Sequence, residues 1–171
     1  SAVTEHVGLK PMEEEYILMG MAAYGYPLCK GIIESDLIND YDQVTFKQNL
    51  HTGIHTDTLL GSSAETVAAS AQAIVEEFIS RIMQYAKKAT GETNLVYMGG
   101  VALNCLANRL LGKYYDNIWI MPNPGDAGSS LGAAALVLGN RVNWVDPYLG
   151  RGTGSSYPVN YAIDILSDSR I

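Results

Sequence analysis

Cysteine is scarce in this sequence, and its scarcity excludes two classes of protein. Cys29 and Cys105 are its only two cysteines, too few for a disulfide scaffold, and they form no recognisable metal or redox motif. Cys105 falls in an apolar helical pattern, so we predict that it is a buried thiol. The absence of a cysteine framework favours a reducing, cytoplasmic setting.

Basic residues and long apolar runs are also scarce. Eleven basic residues against 18 acidic ones give a net charge of −7, so we expect neither nucleic acid nor an anionic membrane as a partner. No apolar run approaches the roughly 18 residues that indicate a transmembrane helix. The first ten residues do not have the pattern of a secretory leader, which again favours a cytoplasmic protein.

The composition itself is typical of one domain with a buried core. The chain has 171 residues, of which 47% are hydrophobic, and this length fits one ordinary domain. The clearest element is a helix predicted over residues 63–89, where apolar residues recur at helical spacing. Ser62 and Glu65 form a capping-box pattern at its start, and Gly91 ends it.

The residues before this helix have weaker patterns. Pro11 and the acidic residues after it predict the start of a helix within residues 11–27, which Gly25 ends. The segments "GIIES" and "QVTF" are predicted to be two short strands of a hairpin, joined by the polar turn "DLINDYD".

Residues 94–139 alternate between strand and helix patterns. Strands are predicted over 94–99 and 117–122, and helices over 102–114 and 126–139. Two strands joined by a helix are normally parallel neighbours with a right-handed connection. The fold class is therefore predicted to be α/β, and ligands of such sheets bind beyond the carboxyl ends of the strands.

Unusual residues follow the first of these two strands. Gly99 and Gly100 would let a phosphate or acyl group approach backbone N–H groups at a helix N-terminus. Asn104 lies one helical turn further on, where its amide could bond a ribose hydroxyl or a phosphate oxygen. The alternative is that the glycines only make a tight turn and that Asn104 caps the helix or packs.

Two other places carry candidate metal ligands. Asp126 begins the last predicted helix, where it is either a helix N-cap or a metal-ligating carboxylate with space left by Gly125 and Gly128. His51 and His55 have the i, i+4 spacing of a metal pair. No carboxylate motif completes that pair, and histidines in loops are more often simply exposed.

Three segments stand in a fixed order along the chain: "EEYILMGMAAYG" (14–25), "MGGVALNCLANRLL" (98–111) and "PNPGDAGSSLGAAALVLG" (122–139). Together they resemble the N-terminal domain of the nodulation-protein-type O-carbamoyltransferases, and "PYLG" at 147–150 is similar to the family's segment just after this domain. The resemblance covers about 13–150. It implies the second lobe of an actin-like (RNase H-like) domain, similar to the tRNA threonylcarbamoyltransferases, with a small mixed sheet and packed helices.

The resemblance also implies a reaction. The family moves a carbamoyl group from carbamoyl phosphate to a hydroxyl of a sugar or natural product, and uses ATP to make a carbamoyl-adenylate. A second, YrdC-like domain makes this intermediate, and an iron-type divalent metal holds it in the actin-like domain. By this resemblance Gly99, Gly100 and Asn104 contact the nucleotide, and Asp126 is a metal ligand. The segment that contains Glu15 and Gly20 lies near the adenosine.

The chain departs from the family pattern in several ways. The family's histidine pair comes from an earlier part of its chain, so His51 and His55 are rejected as that pair. The first phosphate-binding lobe and the YrdC-like domain are missing, and Ile17 replaces a commonly basic residue. We therefore expect residues 1–150 to be a fragment of the domain and 151–171 a linker. Such a fragment should be inactive alone, and its open sheet edges should favour self-association.

Two other functions fit parts of the pattern. A sugar kinase or ATPase of the same superfamily also has a glycine-rich adenosine loop, although "GGVALN" followed by "GDAG" fits the carbamoyl branch better. A non-catalytic nucleotide-binding module that lost its chemistry is a second alternative, and Ile17 is compatible with it. Fold analogy alone does not decide between these functions.

Overall fold

A computed structural model of the chain describes residues 1–51, 53–54, 59, 61–140 and 142. The α-helices are α1 (Ala2–His6), α2 (Glu15–Met21), α3 (Lys30–Leu37), α4 (Ala64–Thr90), α5 (Cys105–Asn108) and α6 (Ser129–Leu138). The strands are β1 (Ile38–Asp40), β2 (Thr45–Phe46), β3 (Asn94–Tyr97) and β4 (Asn117–Ile120). Short 3₁₀ turns cover Ala22–Tyr24, Gly100–Leu103, Leu111–Lys113 and Asp126–Gly128. The predicted linker 151–171 and the "PYLG" segment lie outside the described residues.

The long helix α4 is the centre of the fold, and its prediction over 63–89 is confirmed to within a residue at each end. The predicted cap was wrong: Ser63, not Ser62, is the N-cap, and its Oγ accepts a 3.3 Å hydrogen bond from the Thr66 N–H. The Ser62 hydroxyl lies 3.2 Å from the Cys29 sulfur instead. Gly91 ends the helix in the left-handed conformation, as its sequence position predicts.

Helix α4 supports two hydrophobic clusters, one on each half of its length. The first cluster joins it to α3 and its neighbours; its members are Cys29, Ile33, Leu37, Ile38, Leu59, Val67, Ile74 and Phe78. The second cluster joins it to the β3–β4 region; its members are Ile79, Met83, Ala107, Leu111 and Tyr115. Most of the buried apolar side chains therefore pack on or against this one helix.

The region before α4 differs most from its prediction. "GIIES" is not a strand but part of α3, because Ile33 and Leu37, one helical turn apart, both become buried against α4. The predicted hairpin survives only as the short antiparallel pair β1–β2, in which Phe46 pairs with Ile38. The helix predicted within residues 11–27 begins at Glu15, after Met12 has adopted a positive φ of 67°.

The β-α-β order predicted for the second half is confirmed, and β3 and β4 are parallel, with Asn94 opposite Asn117 and Tyr97 opposite Ile120. The helix predicted over 102–114 is broken, because Asn104 leaves the helical region at ψ 90° and caps the short helix α5. Cys105 is exposed, not buried as predicted, whereas Cys29 is buried.

The fold class is α/β, as predicted. In the described part of the chain the strands form two separate two-stranded sheets, one antiparallel and one parallel, where one small mixed sheet was expected. Leu95, Tyr97 and Ile120 pack toward α4, and the opposite face of the parallel pair carries exposed Val96 and Trp119. None of the helices described here is both long and apolar enough to cross a membrane.

Candidate functional site

The loops that follow β3 and β4 meet at the carboxyl end of the parallel pair. The Gly99 N–H donates a 2.8 Å hydrogen bond to the Pro124 carbonyl oxygen, which ties the two loops together. A cavity of about 520 Å³ lies between these loops and α6. Gly99 and Asp126 both line it, with mainly apolar neighbours that include Met98, Trp119, Met121 and Leu131. The structure thus brings two of the predicted site residues to one cavity.

Asp126 is the first residue of the 3₁₀ turn that precedes α6, and its side chain is exposed. Gly125 occupies the N-cap position of that turn, and no side chain in the described part of the chain caps it. The Asp126 carboxylate forms no hydrogen bond or ion pair with any residue that the structure describes. Asp126 therefore does not act as the side-chain cap of this turn, and its carboxylate is exposed and unpaired among the described residues.

The two glycines after β3 have different geometries. Gly99 has φ 104° and ψ 166°, a conformation that is essentially restricted to glycine. Its N–H already donates to the Pro124 carbonyl oxygen. Of the two glycines, therefore, Gly100 is the one whose backbone N–H could donate to a ligand. The Gly100 N–H bonds to no described residue, and a Cβ at Gly100 would meet nothing within 4 Å. This opening allows a ligand to approach the backbone closely.

Asn104 lies apart from this cavity, and its amide has protein partners. Its Oδ1 accepts a 3.0 Å hydrogen bond from the Ala107 N–H, as the N-cap of α5. Its Nδ2 donates to Gln72 Oε1 at 2.9 Å, and Gln72 Nε2 donates back to Asn104 Oδ1 at 3.1 Å. The predicted alternative of a capping and packing role is therefore observed, although one N–H of Asn104 has no acceptor among the described residues.

Glu15 and Asn104 both line a second cavity, of about 300 Å³, beneath α4. The Glu15 carboxylate accepts a 2.7 Å hydrogen bond from the Met12 N–H and a 3.4 Å bond from the Thr4 hydroxyl. Burial works to raise the pKa of Glu15, but the Met12 hydrogen bond and the nearby α-amino group hold it below its ordinary value. Glu15 is thus charged and occupied in holding the start of α2.

Gly20 is exposed on α2, and a Cβ there would meet nothing within 4 Å. Gly20 and Gly100 line neither of the two cavities. The six predicted site residues therefore fall into three groups. Gly99 and Asp126 lie at the first cavity, Glu15 and Asn104 lie at the second, and Gly20 and Gly100 lie outside both.

The described residues do not form a complete metal site. They contain no cluster of three or more histidine, cysteine, aspartate or glutamate side chains. Asp126 alone supplies one ligand group, whereas protein sites for transition metals take several. His51 is exposed, and His55 lies outside the described residues, so the pair rejected on sequence grounds is not seen as a pair here.

Gln72 is a residue that the sequence analysis missed. It lies on the buried side of α4, with only 9% of its surface exposed. It stands between Ala71 and Ile74, within the apolar pattern that predicted this helix. A polar residue inside an apolar stripe is the signal that could have identified it, because a buried amide needs partners.

Comparisons with known proteins agree with the sequence motifs. A family model described as "Carbamoyltransferase N-terminus" matches residues 1–135. The chain is 37% identical to an uncharacterized protein of Synechocystis over 161 residues, which cover 80% of the chain and 26% of that protein. It is 30% identical to nodulation protein NolO of Bradyrhizobium diazoefficiens over 185 residues, covering 91% of the chain and 32% of that protein.

A further relative is nodulation protein NolNO of Sinorhizobium fredii, at 29% identity over 80% of the chain and 22% of that protein. The chain thus spans between 22% and 32% of the length of these curated relatives. The α/β fold is consistent with an actin-like lobe. The chain belongs to the carbamoyltransferase family, and it matches the N-terminal region of that family.

Proposed function

We propose that this chain is the second lobe of the actin-like domain of an O-carbamoyltransferase. The reaction would move a carbamoyl group from carbamoyl phosphate, through an ATP-derived carbamoyl-adenylate, to a hydroxyl of a sugar or natural product. The observation that carries the proposal is the cavity where the loops after β3 and β4 meet, with the unpaired Asp126 carboxylate at its wall. Family membership supports the type of reaction.

The geometry of this cavity suits the proposed ligand. Carbamoyl transfer develops negative charge on carbonyl and phosphate oxygens, and preorganised backbone donors stabilise such charge. The Gly100 N–H lies outside the lining of this cavity, but it directly follows Gly99 in the same loop; it is free for this role among the described residues, and no Cβ blocks the approach. Met98, Trp119 and Met121 give this cavity apolar walls, of which Met121 is buried and the other two are about half exposed.

Asp126 is proposed as one ligand of a divalent metal, of which iron is the candidate. Because the described residues contain no cluster of three or more such ligand groups, the ligands needed to complete the site would have to come from other parts of a longer protein. For the same reason we propose that this chain alone does not transfer carbamoyl groups. When bound, a divalent metal would stabilise developing oxyanions as a Lewis acid.

Calorimetric titration tests this proposal, with a non-hydrolysable ATP analogue and the longer protein that would carry this chain. We expect nucleotide binding that strengthens in the presence of Mn²⁺ or Fe²⁺, and an Asp126→Asn variant that loses this metal dependence. Asp116→Asn is the matched control, because Asp116 is also exposed but precedes β4 at the opposite end of the strand. Equal metal dependence in the wild type and in Asp126→Asn would remove Asp126 from the metal site.

A separate assay addresses the reaction. Transfer of labelled carbamoyl from carbamoyl phosphate should require ATP in the longer protein and should not occur with residues 1–171 alone. Phosphorylation of a sugar without carbamoyl phosphate would instead favour a kinase of the same superfamily. Nucleotide binding without any transfer would favour a non-catalytic module.

A further inference from the structure

A chain of hydrogen bonds fixes the orientation of the Asn104 side chain. At one end the Ala107 backbone N–H, which can only donate, bonds to Asn104 Oδ1 at 3.0 Å. This contact places the amide oxygen of Asn104, not its nitrogen, toward the first turn of α5. The Asn104 nitrogen must then face outward from that turn, where it donates to Gln72 Oε1 at 2.9 Å.

The other end of this hydrogen-bond network is fixed by the charged side chains of Glu76 and Arg109. Gln72 Nε2 donates to Glu76 Oε1 at 3.2 Å, and an ionised carboxylate can only accept. Glu76 is in turn held by Arg109, whose Nη2 lies 3.1 Å from Glu76 Oε2. The amide of Gln72 therefore has its nitrogen toward Glu76 and cannot turn over without losing this bond.

Both N–H groups of Gln72 are used, one by Glu76 and one by Asn104 Oδ1 at 3.1 Å. Both lone pairs of Asn104 Oδ1 are used as well, by Ala107 and by Gln72. Within the described residues this leaves one unpaired polar group on Asn104, the second N–H of Nδ2. Asn104 can therefore offer a ligand a donor but not an acceptor.

We propose that Gln72 is a positioning residue, which fixes the amide of Asn104 at the wall of the second cavity so that it presents a single N–H to a part of the nucleotide that extends beyond the first cavity. The group it meets must then be an acceptor, such as a phosphate oxygen, a ribose oxygen or an unprotonated ring nitrogen. This inference rests on the proposed function for the identity of the ligand. The orientation itself rests only on the contacts given above, and every hydrogen bond that the Gln72 amide forms with the described residues belongs to this network.

The orientation is tested first, by NMR on the 171-residue chain without ligand. The two Nδ2 protons of Asn104 should exchange with solvent at clearly different rates, because one is bonded to Gln72 and the other is not. In Gln72→Met, which keeps the length of the side chain but removes its amide, the two rates should converge. Gln84→Met is the matched control on the same helix, since Gln84 is exposed and bonds to the Tyr114 hydroxyl. Similar rates for both protons in the wild type would overturn the proposed orientation.

The role in binding is tested by a double-mutant cycle, with the non-hydrolysable ATP analogue and the longer protein. We expect Gln72→Met to weaken binding about tenfold, a change of about 1.4 kcal/mol, and Asn104→Ala to weaken it at least as much. The double variant should bind no more weakly than Asn104→Ala, because Gln72 acts through Asn104. Effects that simply multiply in the double variant would show that Gln72 does not act through Asn104.

The two proposals can fail separately. A wild-type protein that binds no adenine nucleotide would overturn the nucleotide role of Asn104 and the function proposed above, whatever the NMR result. Wild-type nucleotide binding that is unchanged in Gln72→Met would overturn the positioning role alone. A loss of binding that follows only the thermal stability of each variant, including Gln84→Met, would likewise count against it.

Discussion

The Gly99 N–H and the Pro124 carbonyl oxygen are joined by a 2.8 Å hydrogen bond between the loops that follow β3 and β4. Gly99 makes this bond in an unusual backbone conformation, with φ 104° and ψ 166°. This bond therefore couples the shape of the first cavity to the identity of one glycine. The same conformation leaves the next N–H, that of Gly100, without a partner among the described residues.

Substitution of Gly99 is expected to destabilise the fold. A side chain at this position would be strained whatever the available space, so Gly99→Ala should lower the free energy of unfolding by about 1–3 kcal/mol. Chemical denaturation by urea, followed by circular dichroism, measures this change. Gly112→Ala is the control, because Gly112 has no positive φ and its Cβ would meet nothing within 4 Å. Equal losses of unfolding free energy in Gly99→Ala and Gly112→Ala would show that the backbone conformation of Gly99 does not cause the destabilisation.

The glycine that ends "MGMAAYG" has a different structural role. A Cβ at Gly25 would collide with the Glu65 carbonyl oxygen, so the turn after α2 lies closer to the first turn of α4 than a residue with a side chain would allow. Gly25→Ala should therefore cost about 1–3 kcal/mol of stability through overpacking. The expected result is a lower midpoint of thermal unfolding and a shift of NMR signals at the start of α4.

Gly20 provides the comparison within the same motif. It lies in α2 with open space around it, so Gly20→Ala should stabilise the helix by roughly 0.5–1 kcal/mol. Gly20→Ala could instead weaken nucleotide binding by the longer protein and leave stability unchanged. That result would support the placement of Gly20 near the adenosine that the family resemblance implies. A stability loss equal to that of Gly25→Ala would contradict the packing argument.

The pH dependence of stability should include a contribution from Glu34. The Tyr41 hydroxyl donates a 2.5 Å hydrogen bond to Glu34 Oε1, and Lys30 lies 3.0 Å away. The Tyr41 bond is the main cause that holds the pKa of Glu34 below its ordinary value of 4.5. The unfolded chain then binds the proton more tightly than the folded one, so this stabilisation is present above pH 4.5 and is lost as the pH falls through the lower, folded pKa.

Tyr41→Phe separates this contribution from packing. It keeps the ring that lies 4.5 Å from the Phe78 ring and removes only the hydroxyl. Urea denaturation at pH values between 3 and 7 should show a shallower loss of stability toward acid in the variant than in the wild type. Parallel curves for the two proteins would mean that the Tyr41 bond does not shift the pKa of Glu34.

Regular patterns in the sequence were sufficient to predict much of this fold. Helix α4 was predicted because its apolar stripe, from Val67 to Tyr85, extends over about five turns and because Gly91 is a typical C-terminal glycine. The parallel pairing of β3 and β4 followed from the order of elements. These features depend on residues close in sequence, which is why a sequence pattern detects them.

The errors arise where distant contacts decide local structure. Residues 30–37 contain two adjacent isoleucines that favour a strand, but burial of Ile33 and Leu37 against α4 selects a helix. At the break in the second predicted helix, the Asn104 side chain bonds to Gln72, 32 positions earlier in the chain. The separation of the six candidate residues into three places likewise depends on how α2 and α5 pack against α4, which no local pattern records.

The isolated chain is expected to self-associate. Val96 and Trp119 are 67% and 49% exposed on the outer face of the parallel pair, and Leu136 and Val137 on α6 are 84% and 87% exposed. Apolar groups exposed together are typical of interaction surfaces, and the two-stranded sheet also leaves open edges that favour pairing. Sedimentation velocity should therefore show a weight-average mass that rises with protein concentration.

A double variant tests whether this apolar surface is the cause. Leu136→Lys with Val137→Glu places charge on α6, which has no buried residue of its own, so the fold should survive and association should fall at least tenfold in affinity. Tyr85→Lys is the matched control, because Tyr85 is 76% exposed but lies on α4. A wild-type chain that stays monomeric at millimolar concentration would show that the exposed surface does not drive association. Association that persists unchanged in the double variant would place the contact away from α6, on the face with Val96 and Trp119 or at the open strand edges.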